Sequence, residues 1–574
     1  MILVLLWGVI LAGCLSYGLL LYKLLTASRL IEESRAIRGS DLILAGLCLM
    51  VGLLQIASIF VPTNFFLAAI WLGGALLIAG WYSSEITVYF EKFWEKQKQV
   101  PTFWLLFLAL VLYSTLSPDH FDSGIYHLPS IRWNERFPVI PGLGNLHGRL
   151  AFNSSFFVAS AAWGFTNLAG QTLYPLNGAI FLVVCWRLLA WKKNRQPVLS
   201  LALLMLVLYH LTRHVFSPTP DLPATLLPLT VLLMWLDRKP RFGFRLVVMV
   251  LLIALCVTIK LATIPLVLAL IPIGWSLRSH LTVGRVALVV GIGLLFGLPW
   301  VARNIILSGY LIYPFPGIDL FAFDWKIPIE RTHHERDYVE FWAKFRIHEA
   351  YMNVEYLKKP FAEWVPMWWD RQGNFFNRPI WVITVLSPVV MLSHLASPRR
   401  RADFSLLLFP YLVTLAGFLF WFLSAPDFRF GYAFIWLTAL IPWLPFVPQP
   451  ASGRKLDAWQ NGLVGGASVI LIGFFVVYHL ILNHFPIQQY AFIPKPLSYR
   501  DRGSYESFFT LRHTRSGLEV LNPVGSPLEQ NCYEEEGKPC APFFYPDLEL
   551  RGPKIENGFR SSLQVHKNLS QINK

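Results

Sequence analysis

Charge is scarce in this sequence. Asp, Glu, Lys and Arg make up only 14% of its 574 residues, against 55% hydrophobic ones, and the mean hydropathy is +0.49. A soluble fold cannot hide that much apolar surface even in several cores, so the composition excludes soluble classes and predicts a polytopic membrane protein. Acids are scarcer than bases, 34 against 49, for a net charge of +15. In a soluble chain that excess would suggest nucleic acid. Here Lys and Arg sit in short connectors between apolar runs, so the basicity is assigned to topology and membrane-lipid headgroups, with no nucleic-acid partner. Cysteine is rare too, at six residues. Cys14, Cys48, Cys185 and Cys256 lie in apolar runs, where a thiol behaves as a small hydrophobe. Cys532 and Cys540, in the polar "NCYEEEGKPC", would be joined as a disulfide by an oxidising compartment, whereas a metal pair lacks the other two ligands of a structural zinc site. An internal repeat and acids at the centres of apolar runs are also missing, which argues against a secondary transporter.

What the chain has in abundance is apolar runs of about 20 residues, the length that spans a bilayer. They begin near Met1, Asp41, Asn64, Pro101, Leu173, Pro197, Thr219, Phe244, Leu261, Val283, Arg378, Phe404, Phe428 and Asn461, predicting about fourteen spans. The first is too long for a signal-peptide core and has no basic start, so it is expected to be retained. Connectors such as "SRLIEESRAIR", "KKNRQ", "DRKPRFGFR" and "SPRRR" all fall on one side if the chain starts outside, and that side is assigned to the cytoplasm. They are simply basic and suggest no site of their own. This alternation requires that "FNSSFFVASAAWGF" (152–165) not span, and an amphipathic interfacial helix is expected there. The expected organisation is N-terminal transmembrane helices (1–116), a first external loop with interfacial helices (117–172), a transmembrane core (173–303), a long external loop (304–377), C-terminal transmembrane helices (378–483) and an extracytoplasmic tail (484–574).

The dense polar chemistry falls on the outward face. "SPDHFDSGIYHLPSIRWNERF" follows an apolar run directly and holds Asp119, Asp122, Tyr126, His127 and Arg132. "PGLGNLHGRLAFN" adds Asn145, His147, Arg149 and Asn153, which could bond sugar hydroxyls or a phosphate where glycines let the backbone come close. Lys260 in "TIKLATIP", Arg303 in "PWVARN" and Arg429 in "APDFRFG" are cations near outer helix ends, where each is either a phosphate ligand or snorkelling to headgroups. Asp221, after "SPTP", reads as a helix cap, a metal ligand or a partner for Lys260, and Asp427 as a salt-bridge partner or a catalytic part. "ERTHHERDYVEFW" tempts towards metal, but adjacent His residues point about 100° apart on a helix, so a solvated interfacial helix is expected. The aromatics of "EWVPMWWDRQGNFF" fit an interfacial belt or a sugar-stacking surface.

The "DSGIYH" segment, with an Asp four residues before a Tyr just beyond an early span, resembles the first external loop of GT-C fold glycosyltransferases, multi-spanning enzymes that use polyprenyl-phosphate sugars. The resemblance implies a GT-C-like all-α transmembrane bundle with large external loops, in the inner membrane, with an outward-facing active site. It also implies a polyprenyl-phosphate-linked sugar donor, a glycan, lipid or protein acceptor, and Asp122 as catalytic base. The chain departs from the usual Asp-Glu pair by having Ser123 in second place, so that acid's role falls to Asp119, His127, Asp221 or nothing. "YHLPSIRW", "SPTPDLP", "PWVARNIILSGYLIYPF" and the tail are also similar, over about 125–552, to a bacterial group of uncharacterised large membrane proteins. On chemistry alone, moving a sugar off a lipid phosphate needs a carboxylate for the acceptor's proton and cations, with a divalent metal as an open option, for the departing phosphate. The rival enzyme class is an O-antigen ligase or polysaccharide polymerase, which would lean on Arg and His in the long external loop.

Overall fold

The computed structural model describes residues 1–32, 37–97, 101–118, 122–194, 197–237, 241–347, 352–373, 377–396, 398–446, short pieces between 466 and 495, 509–523 and 537–563. It is mostly helical. The first two long helices, Ile2–Ala27 and Gly39–Ala57, lie backbone against backbone. A Cβ on Gly46 would fall 1.9 Å from the Cys14 carbonyl oxygen, so only a small residue permits this approach, the packing device of helices that lack a hydrophobic driving force between them. At the centre stand Asp221–Asp237 and Phe244–Ile259, apolar on all sides and buried along nearly their whole length.

Among the described residues, five helices are long and apolar enough to cross a membrane: Ile2–Ala27, Gly39–Ala57, Val283–Ser308, Asn377–Ala396 and Leu406–Ser424. A sixth is possible if Phe65–Trp81 and Ser83–Glu95, bent by 96°, form one broken span. This is fewer than the fourteen runs predicted, because several runs fold as shorter helices and the run near Asn461 lies mostly outside the described residues. Phe244–Ile259 has 16 residues, about 24 Å of helix against a hydrocarbon core of about 30 Å. It stops because Lys260 is extended (φ −155°, ψ 122°) and because the chain then tightens into a 3₁₀ helix, Leu261–Ala269, around Pro265. That break places Lys260 at a helix end.

Two expectations about the segments assigned to the outside change. The 152–165 stretch does hold a short helix, Ser155–Ala162, but all eight of its residues are buried within protein, so it is a core element rather than an amphipathic interfacial one. The tail departs from the all-α expectation. Strands β1 (Phe509–His513) and β2 (Glu519–Pro523) pair antiparallel with Leu511 opposite Leu521, and β3 (Leu548–Leu550) pairs with β4 (Phe559–Ser561) with Glu549 opposite Arg560. Val520, Leu548 and Phe559 join Trp133, Ile140, Leu150, Leu307 and Tyr310 in a second apolar core. Gly142, at φ +65°, lets the 138–151 loop reach β4, where the Phe559 N–H donates to the Pro141 carbonyl at 2.9 Å. Cys540 is buried, while Cys532, Asp119 and the far C-terminus lie outside the described residues.

The basic connectors also hold more than solvated charge. Asp41 and Asp237 are buried, and Arg187 pairs with Asp41 while Arg38 and Arg245 each lie 3.2 Å from Asp237. The expectation of a face without clustered acids is corrected: an ion-pair knot closes this end of the bundle.

Candidate functional site

At the other end of the 221–237 helix, a second set of charges gathers from five distant segments. Asp122 precedes a single π-helical turn, Ser123–His127, that leads into the helix Leu128–Arg136. The Ser123 hydroxyl lies 2.7 Å from that of Ser217, which ties this turn to the "SPTP" connector. Asn177 holds the same connector by donating to the Ser217 and Thr219 carbonyls at 2.9 and 3.0 Å. Asp427 caps the helix Phe428–Leu440 by accepting from the Arg429 backbone N–H. The cap sends the Arg429 side chain to Asp122.

The contacts are specific. Arg429 Nη1 donates to Asp122 Oδ2 at 2.9 Å, and its Nε lies 3.4 Å from Asp427. Arg149 stands 3.9 Å from the other Asp122 oxygen and 3.9 Å from Glu335, and Arg346 stands 3.8 Å from Asp427. Lys260 pairs with Asp221, the first residue of its helix, which settles that residue as the lysine's partner. Lys260 and Arg429 lie over the same ring, Phe430, at 4.1 and 4.9 Å, so the two ion pairs are neighbours. The acids are buried, whereas the side chains of Lys260 and Arg429 are each 21% exposed. Tyr126 packs on Phe152 and Phe157, and burial followed by the Asp122 carboxylate pushes its phenol well above the usual range, so it stays a proton donor.

Other residues of the expected pocket have structural employment. Arg132 pairs with Glu135, which also accepts from Thr166 and closes the loop. The Asn145 amide donates to the Trp325 carbonyl at 2.8 Å, and the Asn153 amide donates to that of Trp300 at 2.7 Å. Arg303 donates to Asn153, Ser58 and Asn134 and joins none of the ion pairs above. His147 is buried, and burial followed by Arg149 holds its pKa well below the usual value, leaving a neutral ring beside Phe543. His127 is buried with its ring against Tyr126 and Phe157. The glycine of "PGLGN" serves protein packing too: a Cβ on Gly142 would lie 2.1 Å from the Phe559 carbonyl oxygen.

The residues missed from sequence are Glu335 and Arg346. The helix Ile329–Phe345 is not simply solvated, since Thr332, Glu335, Tyr338, Phe341 and Phe345 are buried at helical spacing and carry the carboxylate down to Arg149. Among the described residues no group of three or more His, Cys, Asp or Glu is placed to hold a metal ion. The aromatic segment is core as well. Trp368 is fully buried, stacks on Phe428 at 5.9 Å and donates to the Pro426 carbonyl, so Trp364 and Trp368 anchor "APDFRF" rather than form a belt or a sugar platform.

No curated protein and no solved structure matches this chain. One family model does, over residues 1–436, a range that includes every member of the charged cluster and leaves out the strands of the tail. The chain therefore belongs to the family described as "Domain of unknown function (DUF8201)".

Proposed function

We propose that this protein is a GT-C-type integral-membrane glycosyltransferase that moves a sugar from a polyprenyl-phosphate donor to a cell-envelope glycan, lipid or protein acceptor on the outer face of the inner membrane. The observation that carries the reading is the Asp122–Arg429 contact at 2.9 Å within a set of four acids and four cations. An ion-paired carboxylate is a weak base, and one whose cation has been taken by another anion is a stronger one. The donor's phosphate would draw Arg429 and Lys260 away from their acids. Asp122 would then accept the acceptor's hydroxyl proton as that oxygen bonds the anomeric carbon, while the bond from the anomeric carbon to the phosphate oxygen breaks and its electron pair leaves with the lipid phosphate. Binding of the donor thus arms the base.

Purified protein incubated with lipid-linked sugars should release polyprenyl phosphate, read by mass spectrometry. Release of polyprenyl diphosphate would instead favour a ligase or polymerase, and sugar uptake into vesicles without release would favour transport. Arg429→Ala and Lys260→Ala should each weaken donor-lipid binding by roughly 2 kcal/mol or more, because each removes a charged contact from a partly dehydrated site. Orientation is tested separately: tags at Lys193 and Arg400 are expected inside and one at Thr219 outside.

A further inference from the structure

Arg303 lies near the outer end of the helix Val283–Ser308 and is only 3% exposed. A guanidinium carries five N–H donors. Here one goes to Asn153 Oδ1 at 3.0 Å, one to Ser58 Oγ at 2.7 Å and one to Asn134 Oδ1 at 2.8 Å. Every acceptor is neutral, and among the described residues Arg303 makes no ion pair. A buried charge without a counter-charge is costly, and the two remaining N–H groups have no acceptor among the described residues. This contrasts with Arg149, Arg187 and Arg429, each beside a carboxylate.

Arg303 lines a cavity of about 20 Å³ together with Ser130, Trp133, Asn134, Asn153 and Phe157. The Ser130 hydroxyl and the Trp133 indole nitrogen are buried and have no hydrogen-bond partner among the described residues. The indole N–H can only donate, and no acid lines the cavity. A water would satisfy a balance of donors and acceptors and leave the positive charge standing. The space is just above the roughly 10–15 Å³ that one water-sized occupant needs, too small for a phosphoryl group with its ring of oxygens.

We propose that this cavity binds one halide-sized inorganic anion, chloride in ordinary salt, which neutralises Arg303 and receives the Ser130 and Trp133 donors. The bound ion fastens the 128–136 helix and the Asn153 loop to the end of the 283–308 helix. The inference does not rest on the glycosyltransferase reading.

The test is thermal unfolding of the purified full-length protein in detergent, titrated with sodium chloride, bromide, phosphate or gluconate at constant ionic strength. Chloride and bromide should raise Tm saturably, by roughly 2 °C at a hundredfold excess over Kd, and gluconate and phosphate should not. Arg303→Met is open to misfolding, so the decisive variant is Ser130→Ala/Trp133→Phe, which removes both donors and leaves Arg303 with Asn153, Ser58 and Asn134. Its half-saturating chloride concentration should rise at least about tenfold. Equal curves in chloride and gluconate, an unchanged midpoint in the double variant, or a phosphate response as large as that of chloride would each overturn the proposal.

Discussion

The two ends of the 221–237 helix carry the same chemical groups to different ends. At Asp237 the pairs are Arg38, Arg187 and Arg245 with two aspartates, drawn from the basic connectors and the helix ends beside them. At Asp221 they are Lys260, Arg149, Arg346 and Arg429 with Asp122, Asp221, Asp427 and Glu335. Exposure does not separate them: the acids are covered at both ends, and Arg38 and Arg245 are 29% and 24% exposed against 21% for Lys260 and Arg429. What differs is sharing: in the second set Arg429 stands between Asp122 and Asp427, and Arg149 between Asp122 and Glu335, whereas the first set is a closure around the covered Arg187–Asp41 pair. Two ion-pair sets can look alike in composition and in exposure, and it is the sharing of each arginine between two acids that separates the clasp from the end proposed here as a receptor for the donor's phosphate.

The largest expected effect breaks the receptor end without unfolding it. Asp122→Asn keeps shape and hydrogen-bonding capacity but removes the basic lone pair, so turnover should fall by roughly 10²- to 10⁴-fold. Folded yield should hold, because Arg429 keeps Asp427 and Arg149 keeps Glu335 as partners. Mass spectrometry of the lipid product, with size-exclusion of the same sample, checks both halves. Full transfer by the variant would sink the assignment of the base, and Asp119→Asn serves as the control that should do little.

At the closed end the expectation reverses. Arg187→Met strands the Asp41 carboxylate, and losing one partner of a buried pair costs on the order of 3–5 kcal/mol. Yield and Tm should drop while the rate per folded molecule stays near wild type, and Arg187→Met/Asp41→Leu should recover much of the loss because the stranded charge is gone. A rate defect that survives in the recovered double variant would mean that this end, too, takes part in turnover.

Much of the helical fold was legible, because apolar runs of spanning length leave a chain few alternatives. The number of membrane-length helices was not, since breaks such as the one at Lys260 depend on local backbone geometry that hydropathy ignores. In the site, Asp122, Arg149, Asp221, Lys260, Asp427 and Arg429 were each legible as a polar residue in an apolar setting. Their pairing across as many as 307 positions was not. Residue type alone could not separate Arg429 from Arg303 or Arg132, because an arginine near a helix end reads the same whether it grips a carboxylate, an amide or a ligand. Glu335 had a usable signal, a helical stripe of Thr332, Glu335, Tyr338, Phe341 and Phe345, but the neighbouring His pair drew attention to metal chemistry instead.

The smallest expected effect sharpens the comparison through the cap that the tail places beside the receptor end. Leu150, next to Arg149, belongs to the apolar core shared with β3 and β4, so the tail helps to fix where Arg149 stands. Gly142 is the tightest point of that junction. Its φ of +65° costs a residue with a Cβ about 1–2 kcal/mol, and the added carbon would also sit 2.1 Å from the Phe559 carbonyl oxygen and 2.8 Å from Trp325. Gly142→Ala should therefore loosen the tail locally by roughly 1–3 kcal/mol, seen as faster limited proteolysis between 509 and 563, with little change in global Tm. Transfer should slow by a few-fold at most, because Arg149 retains Glu335 and the Arg429–Asp122 pair lies on other elements. A loss of transfer as deep as that of Asp122→Asn would place the tail inside the reaction and remove the boundary drawn here between cap and site.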